Sequence, residues 1–384
     1  MKPFVAAIIV SLTSLALSAC ASRPETGFLV PVSGSVVGAT DRTILIATTR
    51  ARDGRANTLF DSERGDQLDY AEATISIPPT HQAGVIEWPS QLPGDPAHDF
   101  VTRSASYLDG EAGFTHVLQK NLALRPKGHR DVVVFVHGYN TLFAEGLYRF
   151  AQLTQDANGQ AVPLLFTWAS RGSVPDYIYD LNSATVARDA LETTLKRLAA
   201  SGADHIHIVA HSMGNWVTVE ALRQLRIEGD KTVENKLGLV ALASPDIDVD
   251  VFKSQMRRYG QPRKPFIVLT SRDDRALGIS TKIAGDKPRV GDYDNIEDLA
   301  KYGVIVVDLT NVPGQDQSNH WKFAQSDAIS PEIRKLVEQS GISLPRASEA
   351  QRGTAADRLG SSLGDFVKSA TNVVVALPKA LTGQ

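Results

Sequence analysis

With 384 residues, 42% of them hydrophobic and 22% charged, the chain can bury a sizeable core, which excludes an intrinsically disordered class. A formal net charge of -3 supplies no broad basic field, so nucleic-acid binding has no electrostatic support. The single cysteine excludes an intramolecular disulfide.

The first residues, MKPFVAAIIVSLTSLALSAC, place Lys2 before an apolar run that ends in Leu17, Ser18, Ala19 and Cys20. Residues 1–19 read as an export signal, too short and wrongly flanked for a mature membrane span. Leu-Ser-Ala-Cys resembles the bacterial lipobox, which implies a lipid on Cys20 and explains a lone thiol in an exported protein. The expected location is the cell envelope, with the chain held to the membrane through Cys20. Ser22, where an aspartate would signal otherwise, points to the periplasmic face of the outer membrane. Residues 20–40 carry Ser, Gly and Pro punctuation and read as a tether.

The folded domain is expected over 41–345, with a β-rich part at 41–127. There Thr43 to Thr49 reads as a strand, Arg50 to Asp69 as a long polar loop, and Ala73 to Ile77 and Gly84 to Trp88 as two further strands, each stopped by proline. Strands without intervening helices suggest an antiparallel edge. From 128 to 345 the rhythm changes. Apolar runs at Val132 to Val136, Val162 to Trp168, His205 to Ala210, Leu237 to Ala243, Phe266 to Thr270 and Val304 to Leu309 alternate with helical patterns. That alternation predicts an α/β fold with a doubly wound, mainly parallel sheet. The tail, 346–384, has Leu359, Leu363, Phe366, Val367 and Val374 near one face of a frayed amphipathic helix.

In HIHIVAHSMGNW, from His205 to Trp216, a strand breaks at small residues around Ser212 and passes into a helical period. Strand, sharp turn and helix make a nucleophile elbow, even with Ala210 in place of the usual first glycine. A serine needs a histidine base oriented by a carboxylate, and in open α/β sheets these groups follow the carboxyl ends of strands. His320 is the only histidine after Ser212. Asp274 is the preferred acid, three residues past Ser271, with Asp273 and Asp246 as alternatives. Asp246, Asp248 and Asp250 lack the glycine and glutamate of an EF-hand and suit helix capping better. His205 and His207 share a strand face without a third ligand, so no metal is expected, and no cofactor is needed.

His137 and Gly138, directly after a strand, resemble the oxyanion segment of serine hydrolases of the α/β type. Carried over, the backbone donors are Tyr139 and Met213, with His137, Gly138 and Trp168 as candidate pocket residues. The resemblance extends along the chain. IATTR at Ile46, IPP at Ile77, EWP at Glu87, VFVHGYN, FTWASRG, AHSMGN, ASPDIDVDVF, SRDDRAL and SNHW, in that order, resemble the bacterial α/β-hydrolase family of esterase/lipase-like proteins catalogued as a domain of unknown function. One departure is Ala169, where the family has proline after the tryptophan. The resemblance implies an α/β-hydrolase fold with Ser212, His320 and Asp274 as a triad but supplies no settled substrate; the leading expectation is hydrolysis of carboxylic esters of small molecules or lipids. Acyl transfer, thioester or peptide hydrolysis share the same acyl-enzyme. A retired hydrolase fold used for binding is the alternative from another class, and oligomeric state is not legible.

Overall fold

A computed structural model describes residues 23–325, apart from positions 25 and 315, and residues 374–378. The export signal, Cys20 and most of the tail lie outside the described residues. Among the described residues ten strands form one sheet. The first three are β1 (Thr40–Asp53), β2 (Leu59–Ile77) and β3 (Val101–Tyr107). They are followed by β4 (Asp131–Val136), β5 (Val162–Thr167), β6 (His205–His211), β7 (Leu237–Ala243), β8 (Phe266–Thr270), β9 (Val304–Asp308) and β10 (Val374–Ala376). Across the sheet their order is β10-β9-β8-β7-β6-β4-β5-β1-β2-β3. From β9 to β1 neighbours are parallel, while β2, β3 and β10 run antiparallel at the two edges.

The parallel strands are runs of Val, Ile and Leu because both faces are covered. Helices α1 (Gly110–Ala123), α3 (Tyr177–Ala200), α4 (Gly214–Glu228) and α6 (Val249–Tyr259) pack on one face, and α2 (Phe143–Asp156) on the other. On the α2 side Phe135 stacks on Phe150 with ring centroids 5.4 Å apart, and burial of such a side chain contributes about 1.5 to 3 kcal/mol. Short helices α5 (Lys231–Lys236), α7 (Arg275–Ile283), α8 (Ile296–Ala300) and α9 (Lys322–Gln325) sit in the connections.

The N-terminal part departs from the sequence reading. Arg50 to Asp69 is not a long loop: β1 and β2 form one long hairpin, paired from Thr40 and Ile77 to Asp53 and Leu59. Its polar composition misleads because most of the hairpin's charges face outward while its one buried charge, Arg50, is satisfied inside the fold. The Arg50 side chain is fully buried, with Nε donating to Thr167 Oγ1 (2.9 Å), Nη1 to Asp61 O and Ser170 O (3.0 Å each) and Nη2 to Thr141 O (2.7 Å). The third strand is not Gly84 to Trp88, an irregular segment that follows a turn at Gly84 and whose Trp88 stacks on Tyr148 at 5.3 Å. It is VTRSASY, an edge strand with polar residues in the alternation. Part of the segment read as a tether is docked: Phe28 and Leu29 are buried, Leu29 N donates to Asn57 O at 2.8 Å and Val32 N to Thr102 O at 2.9 Å. Val374, assigned to a helical face, belongs instead to β10, paired with Asp308.

Burial pushes the Arg50 guanidinium down to about 10, against the opposing charges of Asp180, Asp61 and Glu145, so it stays a cation at neutral pH. Arg50→Met keeps the length but strips the donors from buried carbonyls. A loss of about 3 kcal/mol is expected, read as a lower urea midpoint, with Arg50→Lys recovering only part because an ammonium cannot fork to the same acceptors.

Candidate active site

β6 ends at His211 and the next residue, Ser212, has φ of 52°. A left-handed backbone costs an L-residue about 1 to 2 kcal/mol, so the turn has to be held from outside. Ser212 N donates to Ala243 O at 3.0 Å, Asp246 N donates to Ser212 O at 3.2 Å, and Asn215 Nδ2 bridges Ser212 O (2.9 Å) and Ala243 O (2.8 Å). Small neighbours are obligatory here. A Cβ on Gly214 would lie 2.5 Å from Val136 O and closer still to His137 O, and one on Gly138 would lie 2.7 Å from Ser212 Cβ. Ala210, by contrast, fits inside the ladder between Val136 and Leu242. Ser212 Oγ is buried and hydrogen-bonded to nothing among the described residues.

The loop after β9 brings His320 to this turn. His320 Nδ1 lies 2.7 Å from Asp274 Oδ2, and the carboxylate can only accept, so Nδ1 carries the proton and Nε2 is left as the basic nitrogen. Asp274 is itself fixed: its Oδ1 accepts from Ala276 N (3.0 Å) and Leu277 N (3.1 Å), capping α7. Burial alone would lower the His320 imidazole, but the charge and hydrogen bond of Asp274, with Asp246 and Asp316, outweigh it and shift it upward. Asp273 serves the same loop differently, accepting from Lys322 Nζ at 2.6 Å and Asn319 Nδ2 at 2.9 Å on either side of His320. Asp316 receives His320 N (3.1 Å) and Trp321 N (3.2 Å). Asp316 and Lys322 were not singled out in the sequence; an Asp four residues before a histidine in a polar loop is their only signal.

The turn after β4 faces the elbow. His137 is buried, and its Nδ1 donates to Gly138 O at 2.7 Å while its Nε2 accepts from Trp168 N at 3.1 Å. Since a trans peptide points its C=O and N–H in opposite directions, the bond to Gly138 O turns the Tyr139 N–H away from the His137 ring. Neither the Tyr139 nor the Met213 N–H has an acceptor among the described residues. Burial, reinforced by the charge of Arg50, drives the His137 ring down to about 3, so it is neutral and acts as a brace. Trp168 stacks on it at 5.2 Å and donates from Nε1 to His137 O at 3.0 Å. Below them Asp180 accepts from Asn140 N (3.0 Å) and Arg171 N (2.9 Å), tying this turn to the loop after β5.

Some candidates are placed elsewhere. Trp168 is wholly buried and belongs to the core rather than to a pocket wall. Asp246 makes no ion pair with His320. It is buried, receives Tyr177 Oη at 3.2 Å and the Ser280 hydroxyl, and has Arg289 Nε 3.3 Å away. Desolvation raises its carboxyl above the ordinary range despite Arg289. Of the three aspartates after β7 only Asp248 caps a helix, α6, through Asp250 N (2.8 Å) and Val251 N (3.2 Å). His205 and His207 both approach Asp131, at 2.9 and 3.8 Å, at the opposite end of the sheet, and no metal-holding cluster occurs among the described residues.

No helix among the described residues is long and apolar enough to cross a membrane. A comparison with curated proteins finds no match. A family model does match, over residues 111–339, under the description alpha/beta hydrolase of unknown function (DUF900). That span runs from α1 past His320 and contains β4 to β9 and the elbow, and the chain belongs to this alpha/beta hydrolase family.

Proposed function

We propose that the protein is a serine hydrolase of carboxylic esters working through an acyl-enzyme on Ser212. The observation that carries the reading is the 2.7 Å Asp274 to His320 contact beside a buried serine oxygen that has no hydrogen-bond partner among the described residues. Ser212 Oγ attacks the acyl carbon and His320 Nε2 takes its proton, because Nδ1 is already given to Asp274. The Tyr139 and Met213 N–H groups receive the charge that develops on the carbonyl oxygen, each such donor contributing about 3 to 4 kcal/mol to the barrier reduction. His320 returns the proton to the leaving alcohol, and water then releases the acid. None of these steps calls on a cofactor.

We also propose that a lipid on Cys20 anchors the chain in the cell envelope, at the periplasmic face of the outer membrane. Arg23, three residues on, donates to Glu145 Oε1 (2.6 Å), Asn140 Oδ1 (2.9 Å) and Asn140 O (2.7 Å). The anchored end would therefore enter the fold beside the Tyr139 turn, which suits an ester substrate drawn from a lipid surface.

Four measurements test these readings. A fluorophosphonate probe should label the wild type and leave Ser212→Ala unlabelled; an unlabelled but folded wild type contradicts the enzymatic reading. Asp274→Asn should lower kcat by about 10^4-fold and Asp273→Asn far less. In the wild type kcat/KM should rise with pH as His320 loses its proton, with a midpoint above the ordinary imidazole value of about 6.5. Asp274→Asn should move that midpoint down, since burial then acts with less opposition. For the anchor, Cys20→Ala should move the protein from the membrane fraction to the soluble one.

A further inference from the structure

His211, the residue before the nucleophile, is left out of the mechanism above although it is buried next to it. Its ring lies 4.5 Å from that of His320 and 3.8 Å from that of Trp321, centroid to centroid. His211 Nε2 is 3.2 Å from His320 O. A carbonyl oxygen can only accept, so Nε2 must carry the hydrogen. Burial, with the nearby His320 and Arg149, holds the ring well below the ordinary imidazole range, and it is neutral. Nδ1 is then a bare acceptor.

That acceptor has no partner. His211 Nδ1 is buried and unsatisfied among the described residues, as is Ser212 Oγ. Both residues flank Gly138, where a Cβ would lie 2.7 Å from Ser212 Cβ and 3.3 Å from His211 Nδ1. A buried lone pair without a donor is costly, and one imidazole pinned to the backbone of the other is well fixed to meet a small donor there.

We infer that His211 Nδ1 accepts the second hydrogen of the water that releases the acyl group from Ser212. The inference rests on the serine-hydrolase reading. In that step the water oxygen bonds to the acyl carbon and one of its hydrogens passes to His320 Nε2. The other stays on the oxygen, hydrogen-bonded to His211 Nδ1. The intermediate then collapses: the bond to Ser212 Oγ breaks, the proton moves from His320 Nε2 to Oγ, and the carboxylic acid leaves with the hydrogen His211 had held. An alcohol has a single hydroxyl hydrogen, which His320 consumes, so alcoholysis does not use this acceptor. His211 thereby favours hydrolysis over transfer.

Two variants separate the two ring nitrogens. His211→Gln places an amide near Nε2, keeps the donor to His320 O and loses the Nδ1 acceptor, whereas His211→Asn places an amide oxygen near Nδ1 and loses the other contact. With a p-nitrophenyl ester in mixtures of water and methanol, the first-turnover burst reports acylation and the ratio of methyl ester to acid reports deacylation. His211→Gln should keep the burst rate within about twofold, slow hydrolysis about tenfold and raise the ester-to-acid ratio by a similar factor. His211→Asn should keep the wild-type ratio. An unchanged ratio in His211→Gln overturns the inference while a Ser212-dependent burst leaves the hydrolase reading standing. A loss confined to acylation also overturns it, since the donor would then belong to the substrate. No Ser212-dependent release of p-nitrophenolate by the wild type contradicts the hydrolase reading itself.

Discussion

The carboxyl edge of this sheet is built around one costly conformation, a serine at φ of 52° between a strand and a helix. A left-handed turn at a residue with a side chain survives only where its surroundings leave no cheaper alternative. Here the surroundings are backbone atoms from three strands. Gly138 lets the chain after β4 come close to Ser212, Gly214 lets the start of α4 pack on the backbone of Val136 and His137, and Asn215 locks the turn to the end of β7. The reward is an oxygen with no hydrogen-bond partner among the described residues, at the N-terminus of a helix whose dipole favours negative charge.

Around that turn lies a shell of buried polar groups whose partners have to match. Arg50 from β1 reaches under the Tyr139 turn to Thr141 and Ser170, and Asp180 from α3 holds Asn140 and Arg171 from the other side. His137 is a neutral brace between Gly138 and Trp168. On the opposite side Asp273, Asp274 and Asp316 divide the work of holding the His320 loop: one grips its flanks, one the imidazole and one the backbone. This explains why the N-terminal hairpin belongs to the same unit as the catalytic core. Remove its arginine and the Tyr139 turn loses its floor.

How much of this could be read from residues alone follows from where each signal is local. The parallel strands were legible because burial on both faces leaves continuous Val, Ile and Leu runs, and the elbow because its steric demands select small residues at fixed spacing. The order of Ser212, Asp274 and His320 along the chain was likewise visible, and the structure brings Asp274 to the imidazole while giving Asp273 and Asp246 other partners. The hairpin beyond Arg50 was not legible, because a buried guanidinium satisfied by distant carbonyls looks in sequence like a solvated loop. Nor was β3, whose Thr, Arg and Ser positions match an exposed edge. Trp168 looked like a pocket wall because aromatic residues serve cores and pockets alike. Asp316 and Lys322 act only through contacts that the folded loop creates.

Mass mapping of a trapped acyl-enzyme measures the central claim most directly. Protein mixed with a short-chain p-nitrophenyl ester, quenched in acid within the first turnover and digested, should carry the acyl mass on the peptide containing Ser212 and nowhere else. The adduct should vanish in Ser212→Ala. An acyl group on another residue, or ester turnover that persists without Ser212, would contradict the account.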